Sequence, residues 1–118
     1  MTKAEKLFHQ IADKLPNAHE GTMFGVLCIK TVKGKSAAMF WKNSMIFRLQ
    51  AIDEQKALSL TGASQGTHIY APDRAMRGWV KVPFSNSARW KALAKKSIAY
   101  AMKLSGDKTK PRKKSSSS

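Results

Sequence analysis

The sequence predicts a single α+β domain, a curved antiparallel sheet made of a meander plus later strands, with helices at both ends of the chain. Three observations carry that expectation. One amphipathic repeat opens the chain and a second closes it. Between them lie short apolar runs separated by turns rich in glycine and asparagine. At 118 residues the chain can bury roughly two thirds of its unfolded surface, so folding requires neither a metal nor a disulfide.

Thr2-Lys3-Ala4-Glu5 fits a capping box, with the Thr2 hydroxyl and the Glu5 carboxylate each satisfying an orphan N–H. Ala4, Leu7, Phe8, Ile11, Ala12 and Leu15 follow at helical spacing, and Pro16 stops the first helix. A polar loop is expected next. Residues 24–31 are mostly apolar, Gly34 supplies a tight turn, and residues 37–41 return as the second arm of a hairpin. Lys42-Asn43-Ser44 turns the chain again into a third strand over 45–49.

Asp53 is placed to cap a short helix reaching Leu60, and residues 61–66 have the small polar composition of a mobile loop. A short strand is expected at 67–70, a turn at Ala71-Pro72-Asp73, and a strand at 79–82 ended by Pro83. From Ser87 onward Trp90, Leu93, Ala94, Ser97, Ala101 and Leu104 share one helical face. Arg89, Lys96 and Lys103 recur every seven residues on the opposite stripe. Residues 1–104 therefore form the domain. Residues 105–118 lack apolar anchors and are expected to be a disordered basic tail.

Charge is the exceptional quantity. Lys and Arg number 22 against 7 Asp and Glu, a net +15. The tail holds five cations and one acid, so +11 belongs to the domain itself and an anionic partner is implied. No apolar run approaches the roughly 20 residues of a membrane span. The N-terminus enters its amphipathic pattern without a signal segment, so a soluble cytoplasmic protein is expected.

Catalytic constellations are absent. Cys28 lies in the most apolar strand, where it reads as a small hydrophobe, and it has no second cysteine to pair with. His9, His19 and His68 lack the spacing of metal ligands. No glycine-rich phosphate loop or nucleophile elbow occurs, so neither a cofactor nor a metal is expected. His19 and Glu20 beside Met23-Phe24-Gly25 form the best polar cluster on offer.

Met23-Phe24-Gly25, the Gly34-Lys35 turn before an apolar strand, and Ile46-Phe47-Arg48-Leu49 resemble the TfoX N-terminal domain family. Gly78-Trp79-Val80-Lys81-Val82, followed by a helix with Trp90, Leu93, Ser97 and Tyr100, is similar to the related YjbR (MmcQ-like) family. The resemblance covers about residues 1–104 and implies a small α+β fold and a regulatory role. TfoX proteins carry a second glycine after MFG, where this chain has Val26, and a paired-tyrosine segment where it has Trp79-Val80. The second TfoX domain is missing, so a competence-regulator role does not carry over directly.

Three functions are open, in this order. The first is a non-enzymatic domain that contacts DNA or RNA electrostatically, with little sequence preference. Its cations are Arg74, Arg77, Lys81, Arg89, Lys96 and Lys103, joined by Lys110, Arg112, Lys113 and Lys114 of the tail. A partly exposed Trp79 among them would stack on a base. The second is a regulatory adaptor that pairs with a protein partner or with a second copy of itself. The third is a small enzyme or ligand binder using the Glu20 to Gly25 loop.

Overall fold

In the computed structural model, which describes residues 2–23, 25–68 and 71–104, the first helix begins where its cap dictates. The Thr2 hydroxyl accepts from the Glu5 N–H at 3.1 Å and opens α1, Lys3–Lys14. Among the described residues only that half of the capping box forms, because the Glu5 carboxylate faces His9 instead, 3.7 Å away. Asn17, at φ 62, then turns the chain into β1, Ala18–Met23. The sequence leads one to expect a loop here. What makes it a strand is β2, Val26–Thr31, which pairs with it over its whole length from Ala18 opposite Thr31 to Met23 opposite Val26.

The meander continues through β3, Ser36–Trp41, and β4, Ser44–Arg48, with Lys42 and Asn43 both at positive φ in the two-residue turn. Helix α2 spans Ala51–Leu58. Its N-cap is Gln50, so Asp53 sits in the first turn and is not the cap expected of it; its carboxylate accepts from Gln50 Nε2 at 3.3 Å. The expected mobile loop contains most of β5, Ser64–His68. Instead of turning at 71–73, the chain is already in β6, which runs over Ala71–Pro83. A 3-10 turn, Phe84–Arg89, leads into α3, Trp90–Leu104.

The six strands form one antiparallel sheet in the order β1-β2-β3-β4-β6-β5, with an N-terminal helix and C-terminal helices, as the composition and patterning predict. Strand alternation divides its residues between two faces. Ile29, Ala38, Phe47 and Val80 form one row across four strands and join the core beneath α1 and α3. Cys28, Met39 and Ile46 form the neighbouring row and belong to a second cluster with Val26 and Trp79 on the opposite face. Trp90 fixes the start of α3 to the sheet: it is fully buried and donates from Nε1 to the Val82 carbonyl at 3.2 Å.

Two glycines are required by this packing. A Cβ at Gly66 would lie 2.8 Å from the Trp79 Cβ and 2.9 Å from its carbonyl oxygen, so only glycine lets β5 close on β6. Gly78 has φ +85, and its carbonyl accepts from the Leu49 N–H at 2.6 Å. Among the described residues no helix is long and apolar enough to cross a membrane. The tail reading for 105–118, with Lys110, Arg112, Lys113 and Lys114, falls outside the described residues.

Candidate nucleic-acid interface

Helix α3 rises about 1.5 Å per residue, so it extends roughly 20 Å across the helical layer. It buries Trp90, Leu93, Ala94, Ser97, Ile98 and Ala101, which leaves Leu104 exposed and adds Ile98 to the expected apolar face. The helical repeat then directs Lys91, Lys95, Lys96 and Lys103 outward, where all four are exposed together with Arg89 of the 3-10 turn. Lys14 of α1 borders this surface on one side and Lys56 of α2 on the other. No acidic residue occurs between Asp73 and Asp107.

Four acids, Glu5, Glu20, Asp53 and Glu54, are engaged within the fold. Both oxygens of Glu20 lie 2.8 Å from His9 Nδ1, which donates, and Glu5 stands at the other ring nitrogen. The hydrogen bond to Glu20 is the main reason the His9 pKa is raised above its usual value, against an opposing desolvation. Glu54 accepts from the Gly78 N–H at 2.9 Å and from Gln65 Nε2 at 3.3 Å. Asp53 is the one acid that reaches α3, with Lys96 Nζ at 3.4 Å among the described ion pairs. The stripe that looks uncompensated along its own helix is therefore partly compensated from α2.

The structure separates the remaining candidates. Arg74 and Arg77 are exposed on β6. Lys81 pairs with Ile46 and alternates with Val80 and Val82, which places it on the sheet face opposite α3. The partly exposed Trp79 stacking platform requires correction. Trp79 is 7% exposed, and the Arg48 guanidinium lies over its ring at 4.5 Å. The two residues are cross-strand partners, so the cation covers the ring that a base would need. Burial pushes the Arg48 pKa down, while Tyr100 opposes that shift.

Sequence reading passed over Lys14, Lys56, Lys91 and Lys95. Lys91 and Lys95 stand one turn apart, and a helical wheel drawn from Trp90 would have placed both at the rim of the buried face. The link between Arg48 and Trp79 has no sequence signal, because it arises from the pairing of β4 with β6.

Among the described side chains, the residues weighed for catalysis or metal binding do not assemble into a site. Cys28 is fully buried, and burial pushes its thiol pKa up, partly offset by Lys30 and the Ser36 hydroxyl. Glu20 is held by His9, while His19, its neighbour on β1, is exposed. Glu5 and Glu20 meet opposite nitrogens of the His9 ring, so they cannot converge on one ion through it. Among the described residues no group of three or more His, Cys, Asp or Glu side chains could hold a metal. The chain matches no protein-family model, no curated protein and no solved structure.

Proposed function

We propose that this chain is a non-enzymatic binding domain of the TfoX N-terminal or YjbR-like kind, acting in the cytoplasm. It contacts nucleic acid through the cations of α3, with little sequence preference. One observation supports this reading above the others: α3 and its leading turn display five cations and no acid, while Glu5 and Glu20 are engaged with His9, Glu54 with Gln65 and Gly78, and Asp53 with Lys96. Lys91 to Lys103 spans about 18 Å of helix, enough to follow several phosphates of one strand. The tail cations Lys110, Arg112, Lys113 and Lys114 follow α3 in sequence and add to the same attraction.

About six engaged cations give a log affinity that falls against log salt with a slope of about −5 on duplex DNA. Anisotropy titrations of labelled single- and double-stranded DNA and RNA, at several salt concentrations, measure that slope. The intact chain and a chain ending at Leu104 are compared. Binding that persists near physiological salt in the shortened chain places the function on the folded domain. Loss of binding there, or a slope near zero, would sink the proposal.

A further inference from the structure

We propose that the groove between the C-terminal end of α1 and α3 docks an acidic amphipathic segment of a partner protein, which competes with nucleic acid for Lys91 and Lys95. The groove has a volume of about 400 Å³. Leu15, Ile98 and Met102 line it with apolar surface, and Lys14, Lys91 and Lys95 line it with three cations. Pro16 ends α1, and Asn17, in the left-handed region, turns the chain away towards β1. Both residues line the groove at that end.

Its chemistry differs from that of the two other concavities beside α3. Both of those are lined by Asp53 and Lys96, which already pair with each other, so each contains its own anion. The α1–α3 groove has cations and apolar surface but no carboxylate in its lining. Lone phosphates would satisfy the lysines and leave the apolar surface wet, whereas an uncharged apolar peptide would leave the lysines unanswered. An amphipathic helix with aliphatic or aromatic anchors one turn apart and Asp or Glu around them satisfies both. Charge also excludes the nearest alternatives. A second copy brings a net +15 and the same lysines, and residues 105–118 bring five cations and one acid.

The test uses the full chain labelled with ¹⁵N and two short fluorescent peptides of equal negative charge. One has two leucines a turn apart among Glu and Asp, and the other has alanines in their place. The leucine peptide is expected to bind about ten- to a hundredfold more tightly, since each buried anchor removes apolar surface from water. Shifts that the leucine peptide produces and the alanine peptide does not should fall on the amides of 14–17 and 91–102. Lys95→Glu should weaken both peptides. Equal affinity of the two peptides would reduce the attraction to bare charge and overturn the proposal, as would leucine-specific shifts elsewhere on the domain. A dT12 oligonucleotide is titrated in parallel. If dT12 reproduces the leucine-specific shifts at 14–17 and 98–102, the apolar part of the groove belongs to nucleic acid and docking is overturned; dT12 shifts confined to the lysines of α3 fit the nucleic-acid reading and leave the leucine preference to decide docking, while no dT12 binding counts only against the nucleic-acid reading.

Discussion

Helices α1 and α3 solve the same packing problem and differ on the side that packing does not reach. Each lays a stripe on the same sheet face: Ala4, Phe8, Ile11 and Ala12 from one, Trp90, Leu93, Ala94, Ser97, Ile98 and Ala101 from the other. Outside, α1 mixes Lys3, Lys6 and Lys14 with Glu5 and Asp13, whereas α3 has four lysines and no acid. Lys91 and Lys95 are one turn apart, and a like pair at that spacing destabilises a helix by a few tenths of a kcal/mol. Folding therefore accounts for the inner faces of both helices and for the outer face of only one.

If the inner faces are equivalent, removing the largest anchor from either should cost about the same. Phe8→Ala and Trp90→Ala are each expected to destabilise the domain by about 3–5 kcal/mol in urea unfolding, since both side chains are fully buried. Trp90→Ala also deprives the Val82 carbonyl of its donor. A change under about 1 kcal/mol for either would mean that its helix is not a full partner in the core.

The outer faces should respond in the opposite sense. Lys91→Glu with Lys95→Glu is expected to reduce the salt slope of nucleic-acid binding by about 2 and to leave stability within about 0.5 kcal/mol. Lys3→Glu with Lys6→Glu on α1 changes net charge equally and should leave most of the affinity in place. Equal losses from the two pairs would show that total charge alone drives binding, and the contrast between the helices would carry no functional meaning.

Much of this architecture is readable from the chain, and the misses have common causes. Thr2, the apolar spacing behind it, Gly34 and the Lys42-Asn43 turn act locally, so α1 and the meander follow from residue chemistry. Strand β1 does not, because Ala18-His19-Glu20-Gly21-Thr22-Met23 lacks apolar alternation and takes its conformation from β2. Strand β6 contains Pro72, which reads as part of a turn, yet the strand pairs with β5 through an irregular register that accommodates it, and it ends at Pro83 as its residues predict. The cationic surface was half legible. Its charge is composition, but the Asp53 contact with Lys96 and the Arg48 cover on Trp79 depend on elements that meet only in the folded sheet.

Asp53 offers a smaller test of the same contrast, because it is the acid that moderates α3. Asp53→Asn keeps an acceptor near Gln50 and releases Lys96, so nucleic-acid affinity should rise about twofold while stability falls by less than about 1 kcal/mol. Unchanged affinity would place Lys96 outside the contact surface.

The smallest effect concerns how α1 uses its acid. His9 joins α1 to β1 through Glu20, with Glu5 on its other side, and in the folded state its pKa is raised above 6.5. The folded protein therefore holds this proton more tightly than the unfolded chain. That contribution is fully present below the unfolded value and is lost as pH rises through the folded one. Because the His9 and Glu20 side chains are 28% and 31% exposed, the loss should be only about 0.5 kcal/mol, read as a lower urea midpoint towards pH 8. Glu20→Gln removes the main cause of the shift and should flatten that trend; a slope as steep as the parent's would rule out the His9–Glu20 contact as its source. Helix α3 has no histidine, so the same pH change loosens the α1–β1 contact without changing a charge of that type on the cationic face. Nucleic-acid affinity that stays constant while stability declines would separate the two helices by function as clearly as their sequences separate them by charge.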